Sequence, residues 1–280
     1  MSPRSGRRVR LDQAVVAAGL APSREKARAL VMAGRVLVDG KRIDKPGREV
    51  PAGARVELLP GRRPFASRGG EKLAPVLDAL RVDVSGRRCL DVGASTGGFT
   101  DVLLRRGASH VTAVDVGRGL LDQRLREDPR VRCLEGVNAR YLDPADVAPP
   151  YDLAVADVSF ISLVLVLPAI LPLVAPGGRL LALVKPQFEA GRREVSRGRG
   201  VIRDPSVREA AVLRVTRFLG AAGWGILGVR ASPLPGPRGN REVFLLAAPG
   251  PGLGPAEVGR AVAASVGREP RQGPGGEADR

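Results

Sequence analysis

The chain has 280 residues, 44% of them hydrophobic and 26% charged, the balance of a globular protein with room for one large domain and a small attachment. Its net charge of +16 and pI of about 11.3 favour a polyanionic partner, most commonly nucleic acid. Two cysteines (Cys89, Cys133) and one histidine (His110) exclude a disulfide framework, a zinc cluster and a metal-binding histidine pair.

The opening MSPRSGRRVR is basic with no apolar run behind it, so no signal peptide is expected and the protein is expected to be cytoplasmic. Residues 1–61 read as a small α+β unit. Leu11, Val15 and Ala18 share a helical spacing that Gly19 ends, and Ser23 is placed to cap a second helix over 24–33 that Gly34 ends. A strand over 35–38, the turn pair Asp39 and Gly40, and a strand over 54–59 follow. Residues 4–63 carry 15 basic and 6 acidic side chains, so most of the positive surplus sits in less than a quarter of the chain. Arg24 and Arg28 lie one turn apart on one helix face, and such a concentration of like charge suits phosphate. Arg7, Arg8, Arg10, Arg35, Lys41, Arg42 and Arg68 complete the candidate RNA contacts. The stretch RLDQAVVAAGLAPSREKARALVMAGRVLVDGKRI resembles the small RNA-binding domain named after ribosomal protein S-four.

Residues 62–70, with Pro64, Gly69 and Gly70, read as a linker. Beyond it the patterns alternate. Strands are expected at 88–92, 110–115, 131–134, 153–157, 180–184, 224–231 and 243–247, and helices at 71–80, 98–106, 163–174 and 205–222. That alternation predicts an α/β fold, a doubly wound Rossmann-like sheet over 71–249. The most apolar run, 160–175, contains Pro168 and Pro172 and falls short of the roughly 20 residues that span a membrane. Residues 250–280 read as a partly disordered extension with a short helix over 256–266.

The segment DVGASTGGF, 91–99, reads as strand, tight turn and helix. Gly93, Gly97 and Gly98 let backbone approach a ligand, and Asp115 ends the next strand about 20 residues on, where an acid meets ribose hydroxyls. Ser95 replaces the second glycine of the dinucleotide pattern, and Asp91 suits a cationic amino-acid end better than a pyrophosphate. S-adenosylmethionine has both parts. GASTG also matches a hydrolase nucleophile elbow, but that needs a histidine after the serine and a later acid, and His110 is the lone histidine, only a few residues on. No phosphate-loop signature is present.

Asp157 ends the apolar strand LAVAD and Lys185 ends LLALVK, and strand C-terminal ends in an open α/β sheet face the ligand crevice. From residue 64 onward the only lysines are Lys72 and Lys185, in a chain that otherwise uses arginine. Arginine keeps its proton; lysine can release one.

On SRGGEKL, LDVGASTGGFTDVLL, ADVSFISL, LVKPQFE and GNREVF, the chain resembles, over nearly all of 9–247, the TlyA family. These are ribosomal RNA 2′-O-methyltransferases once labelled haemolysins, with an FtsJ-like catalytic domain. The resemblance implies a catalytic tetrad at Lys72, Asp157, Lys185 and Glu242, and a cytidine ribose in 16S and/or 23S rRNA as acceptor. It places Phe99 and Asn138 near the cofactor with Asp91, Gly93, Ser95, Gly97, Gly98, Asp115 and Asp157; a plain turn asparagine is the other reading of Asn138. Phe160 is expected to pack in the core rather than stack on a base. The glycine- and arginine-rich stretch 191–200 reads as an RNA-contacting lid or a solvated loop. The linker reads RPFA where the family carries an R-x-W-V-like stretch. Ribosomal RNA or a ribosomal subunit is the expected partner, and the chain is expected to be a monomer without membrane or metal. The alternatives are a membrane-active haemolysin and an RNA-binding protein with a degenerate methyltransferase fold.

Overall fold

A computed structural model describes residues 8–59 and 64–267. Arg7, part of the linker and the last 13 residues therefore lie outside the described residues. In the N-terminal unit β1 (Arg8–Arg10) leads into α1 (Leu11–Ala17) and α2 (Arg24–Met32), then β2 (Val36–Val38), β3 (Lys41–Ile43), β4 (Glu49–Pro51) and β5 (Val56–Leu58). Ser23 caps α2 by accepting from the Lys26 amide at 3.2 Å. β2 pairs with both β3 and β5, and Leu11, Val15, Ala27, Val31, Val36 and Val38 form the core beneath. β1, which the sequence pattern does not show, pairs antiparallel with β4; three residues are too short for a readable alternation.

Asp12 is fully buried in this unit and takes ion pairs from Arg10 at 2.9 Å and Arg24 at 3.1 Å. Burial pushes its carboxyl up, but the two guanidinium hydrogen bonds outweigh that and hold it below its ordinary value. One buried acid thus organises two of the arginines offered as RNA contacts.

The helix carrying Lys72, α3 (Arg68–Ala79), begins earlier than its pattern indicates, because Ser67 caps it by accepting from the Gly69 amide. Residues 68–70 are therefore helix rather than linker. There follow β6 (Arg88–Val92), α4 (Gly98–Arg105), β7 (His110–Asp115), α5 (Gln123–Arg126), β8 (Val131–Glu135) and α6 (Pro144–Val147). β9 (Tyr151–Ala156), α7 (Leu163–Ile170), β10 (Val174–Val184), α8 (Pro186–Glu189), α9 (Arg192–Arg197) and α10 (Pro205–Ala221) come next. The chain closes with β11 (Trp224–Ala231), β12 (Val243–Pro249) and α11 (Pro255–Val266).

These strands form one sheet in the order β11-β12-β10-β9-β6-β7-β8, with β12 antiparallel to both neighbours and the other pairs parallel. The chain starts at β6, winds outward to β8, then returns to β9 and winds the other way. The switch point between β6 and β9 is where such sheets bind ligands. Leu90, Val92, Ala154 and Ala182 pack toward α7, α10 and α11, whereas Cys89, Val155, Leu183 and Phe244 pack toward α3 and α4. Both faces are covered, which is why the central strands read as continuous apolar runs.

The helix expected over 163–174 ends at Ile170 in a 3-10 turn, Leu171–Leu173. Pro172 has no amide hydrogen to continue the α-helix. Val174 instead opens β10, paired with Tyr151, before the register shifts and Arg179 meets Leu153. The described part of the C-terminal stretch is not a separate extension either: Val258, Val262 and Val266 of α11 are buried in the cluster that holds α10 and β11. Val262→Ala should lower the unfolding free energy of the catalytic domain by about 2 kcal/mol, read as a shifted denaturation midpoint. An unchanged midpoint would mean that α11 is not part of that core.

Candidate active site

The glycine loop leaves β6 at the switch point. Gly93 has φ +87°, and a Cβ there would lie 2.6 Å from the Asp157 carbonyl oxygen. Gly97, at φ +89°, leaves no room for a Cβ beside Leu121 and Leu125. The turn is therefore pressed against the end of β9 on one side and Leu121 and Leu125 on the other, and its Gly93, Ala94 and Ser95 amides are held by Val114 and Asp115 of β7. Phe99 is buried and stacks on Phe244, with ring centres 6.1 Å apart.

Asp91 lies under this loop, fully buried. Its Oδ2 accepts from the Thr100 hydroxyl at 2.7 Å, and its Oδ1 has no hydrogen-bond partner among the described residues. Burial is the main cause that pushes its carboxyl up to about 7, against the Thr100 hydrogen bond. Asp115 binds the loop by accepting from the Ser95 amide at 2.8 Å, while its other oxygen accepts from Gly117 at 2.7 Å. Asn138 caps a short 3-10 turn by accepting from the Arg140 amide at 3.0 Å. Gly93, Ser95, Gly98, Phe99 and Asp157 line one cavity; Asp91, Asp115, Gly97 and Asn138 are not among its lining residues.

The four residues of the expected tetrad converge beside that cavity as two ion pairs. Lys72 Nζ lies 2.6 Å from Glu242 Oε2, and Lys185 Nζ lies 2.5 Å from Asp157 Oδ1. Lys72, Lys185 and Glu242 are each less than a tenth exposed. Lys185 also donates to Ser159 Oγ at 2.8 Å. Burial pushes the Asp157 carboxyl up, but the charges of Lys185 and Lys72 outweigh it and hold the group below its ordinary value. Among the described residues no cluster of His, Cys, Asp or Glu could hold a metal ion.

A second and larger cleft, about 710 Å³, opens beside the same lysine. Residues 44–48 of the N-terminal unit form one wall; Phe160, Gln187, Phe188 and Arg238 stand opposite. Met32, at the end of α2, borders both this cleft and the cofactor-side cavity. Lys26 donates to the Leu121 carbonyl at 3.3 Å, and Arg68 contacts Asp44 at 3.7 Å and the Pro235 carbonyl at 3.3 Å. Arg68 therefore joins the two units, whereas Arg28, Lys41 and Arg42 are exposed, as is Arg8, which contacts Glu49 at 3.7 Å. Arg35 is half-buried.

Phe160 corrects the expectation of core packing. It is 90% exposed, with φ +66° and its ring 5.4 Å from Phe188. Lys45, Arg48, Gln187 and Ser159 were missed as cleft residues. For Phe160 a signal existed: it falls after the strand's polar end, where the alternation that assigns side chains to the core has stopped.

A family model described as FtsJ-like methyltransferase matches residues 65–248, and one described as S4 domain matches residues 9–56. The chain belongs to the FtsJ-like methyltransferases. The 16S/23S rRNA (cytidine-2'-O)-methyltransferase TlyA of Mycobacterium tuberculosis is 50% identical over 240 residues, 85% of this chain and 89% of that protein. Hemolysin A of Brachyspira hyodysenteriae is 37% identical over 237 residues, 84% of this chain and 97% of its own. A solved hemolysin-named structure from Streptococcus thermophilus matches with TM-score 0.70 at 40% identity, covering 92% of this chain and 95% of the other. In this FtsJ-like methyltransferase no helix among the described residues is long and apolar enough to cross a membrane.

Lys72→Met alone leaves the buried Glu242 without its cation and should lower unfolding free energy by about 3 kcal/mol in urea denaturation. Lys72→Met with Glu242→Leu should recover most of that loss. A double-variant loss equal to the sum of the Lys72→Met and Glu242→Leu losses would show that the pair is not coupled.

Proposed function

We propose that this chain methylates the ribose 2′-hydroxyl of a cytidine in 16S and/or 23S ribosomal RNA, using S-adenosylmethionine. One observation carries the reading: Lys185, Glu242 and Ser159 border both the glycine-loop cavity and the basic cleft between the two units. A methyl donor on one side and an RNA nucleotide on the other would meet at these residues. The relatives' printed names support rRNA and cytidine as acceptor.

The residues behind the glycine loop fit the cofactor. The unpartnered Asp91 Oδ1 suits a cationic amino-acid end, and the Asp115 carboxylate at the end of β7 suits ribose hydroxyls. Bound there, S-adenosylmethionine supplies an electrophilic methyl group on a positively charged sulfur.

The chain's own residues handle the acceptor. Lys185, held by Asp157 and Ser159, takes the proton of the 2′-hydroxyl as that oxygen attacks. Lys72, held by Glu242, supplies a fixed positive charge beside the same point. Phe160 offers an exposed ring on which the target base can stack, and Lys45 and Arg48 offer charge for the RNA backbone. The S4 domain's exposed Arg28, Lys41 and Arg42 extend the basic surface.

Isolated 30S and 50S subunits with labelled cofactor test the proposal, with the product mapped as a 2′-O-methyl cytidine. Transfer to neither subunit overturns it. Lys185→Arg should lower turnover at least about 100-fold while cofactor affinity persists, because arginine cannot accept the proton. Near-normal turnover would remove Lys185 as the base.

Asp91 gives a separate pH dependence. Its carboxyl titrates near 7 in the free protein, and an ammonium beside it favours the ionised form. Below that pH, binding must first expel a proton; above it, no such cost remains. Calorimetry should therefore find cofactor affinity about tenfold higher at pH 8 than at pH 6, with Asp91→Asn flattening the difference.

A further inference from the structure

We infer that Ser159 is a positioning residue for Lys185, fixing the direction in which its amine meets the acceptor hydroxyl. This inference rests on the reading of the chain as a ribose methyltransferase.

An amine nitrogen on a lysine has four tetrahedral positions, one of them taken by its own carbon. The Ser159 hydroxyl takes one of the other three as an oriented hydrogen bond at 2.8 Å. Asp157, at 2.5 Å, holds the nitrogen as an ion pair, its Oδ1 lying outside hydrogen-bond alignment. With that charge contact alone the nitrogen could turn, and the lone pair that receives a proton would sweep a cone. The hydrogen bond to Ser159 removes the rotation, which is the geometric requirement for efficient proton transfer.

The surrounding chain is built to hold Ser159 still. It lies two residues past Asp157, on the turn that leaves β9, while Lys185 ends the neighbouring strand β10. A second tie joins the same two segments: Ser162 Oγ donates to Glu189 Oε2 at 2.5 Å, and the Leu163 amide donates to Glu189 Oε1 at 2.6 Å. Glu189 is the last residue of α8, which starts directly after Lys185, and is itself buried. The β9 turn and the β10 turn are therefore cross-linked at two places, so Ser159 Oγ and Lys185 Nζ keep their separation. Ser159 itself is exposed on the cleft side, so removing its hydroxyl disturbs no core packing.

Removing the hydroxyl leaves the amine its charge partner but not the contact that aims its lone pair, so turnover falls.

In the full-length protein, Ser159→Ala should lower kcat on ribosomal subunits about tenfold, with KM for RNA and Kd for S-adenosylmethionine within about twofold of the parent. Ser159→Thr, which keeps a hydroxyl, should restore kcat. An unchanged kcat in Ser159→Ala overturns the inference, as does equal impairment of the alanine and threonine variants. Failure of the underlying reading looks different: the parent protein then yields no 2′-O-methyl product, or Lys185→Arg turns over normally.

Discussion

A carboxylate and an ammonium taken out of water together tolerate burial; either one alone does not. This molecule places two such pairs side by side, Lys72 with Glu242 and Lys185 with Asp157, and much of its architecture serves to bring them there. Asp157 and Lys185 stand at the ends of adjacent parallel strands, β9 and β10. Glu242 enters from the opposite direction because β12 runs antiparallel to β10 beside it. Lys72 comes from α3, 170 residues away in sequence from its partner. The reversal of β12 is what lets a residue just before a strand sit beside residues just after two others.

The glycine loop meets this centre through contact rather than charge. Gly93 abuts the Asp157 carbonyl, so the glycine loop and the acid of one ion pair share one backbone junction. Asp115 and Asp91 act from behind, one binding the Ser95 amide and the other leaving an acceptor open beneath the turn. Neither acid is among the residues that line the cavity: two backbone amides engage Asp115, and Asp91 is fully buried beneath the turn.

The elements that were legible in the sequence are those whose signal is local. Strand ends carrying a lone charge, LAVAD and LLALVK, identified Asp157 and Lys185, and the scarcity of lysine identified Lys72 and Lys185. Cap residues and breakers located α2 and the doubly wound core. The illegible features depend on partners distant in sequence. Nothing in SRGGEKL says that Arg68 reaches Asp44, or in RVRLD that Arg10 and Arg24 will share Asp12. Phe160 looked like core because aromatic side chains usually are, and only the left-handed backbone after Ser159 turns it outward. The start of β10 at Val174 was hidden by proline and glycine, which break the periodicity without ending the pairing.

The N-terminal unit is more than an appended grip. Met32 borders both the glycine-loop cavity and the larger cleft, and residues 44–48 line that cleft. One piece of chain therefore supplies part of the boundary of both cavities, and neither has its full shape without it. Binding free energies in such an arrangement are reciprocal: whatever RNA does to cofactor affinity by seating this piece, cofactor does to RNA affinity by the same factor. The two affinities then become a single thermodynamic quantity, carried by a domain that contributes none of the four side chains of the buried ion pairs.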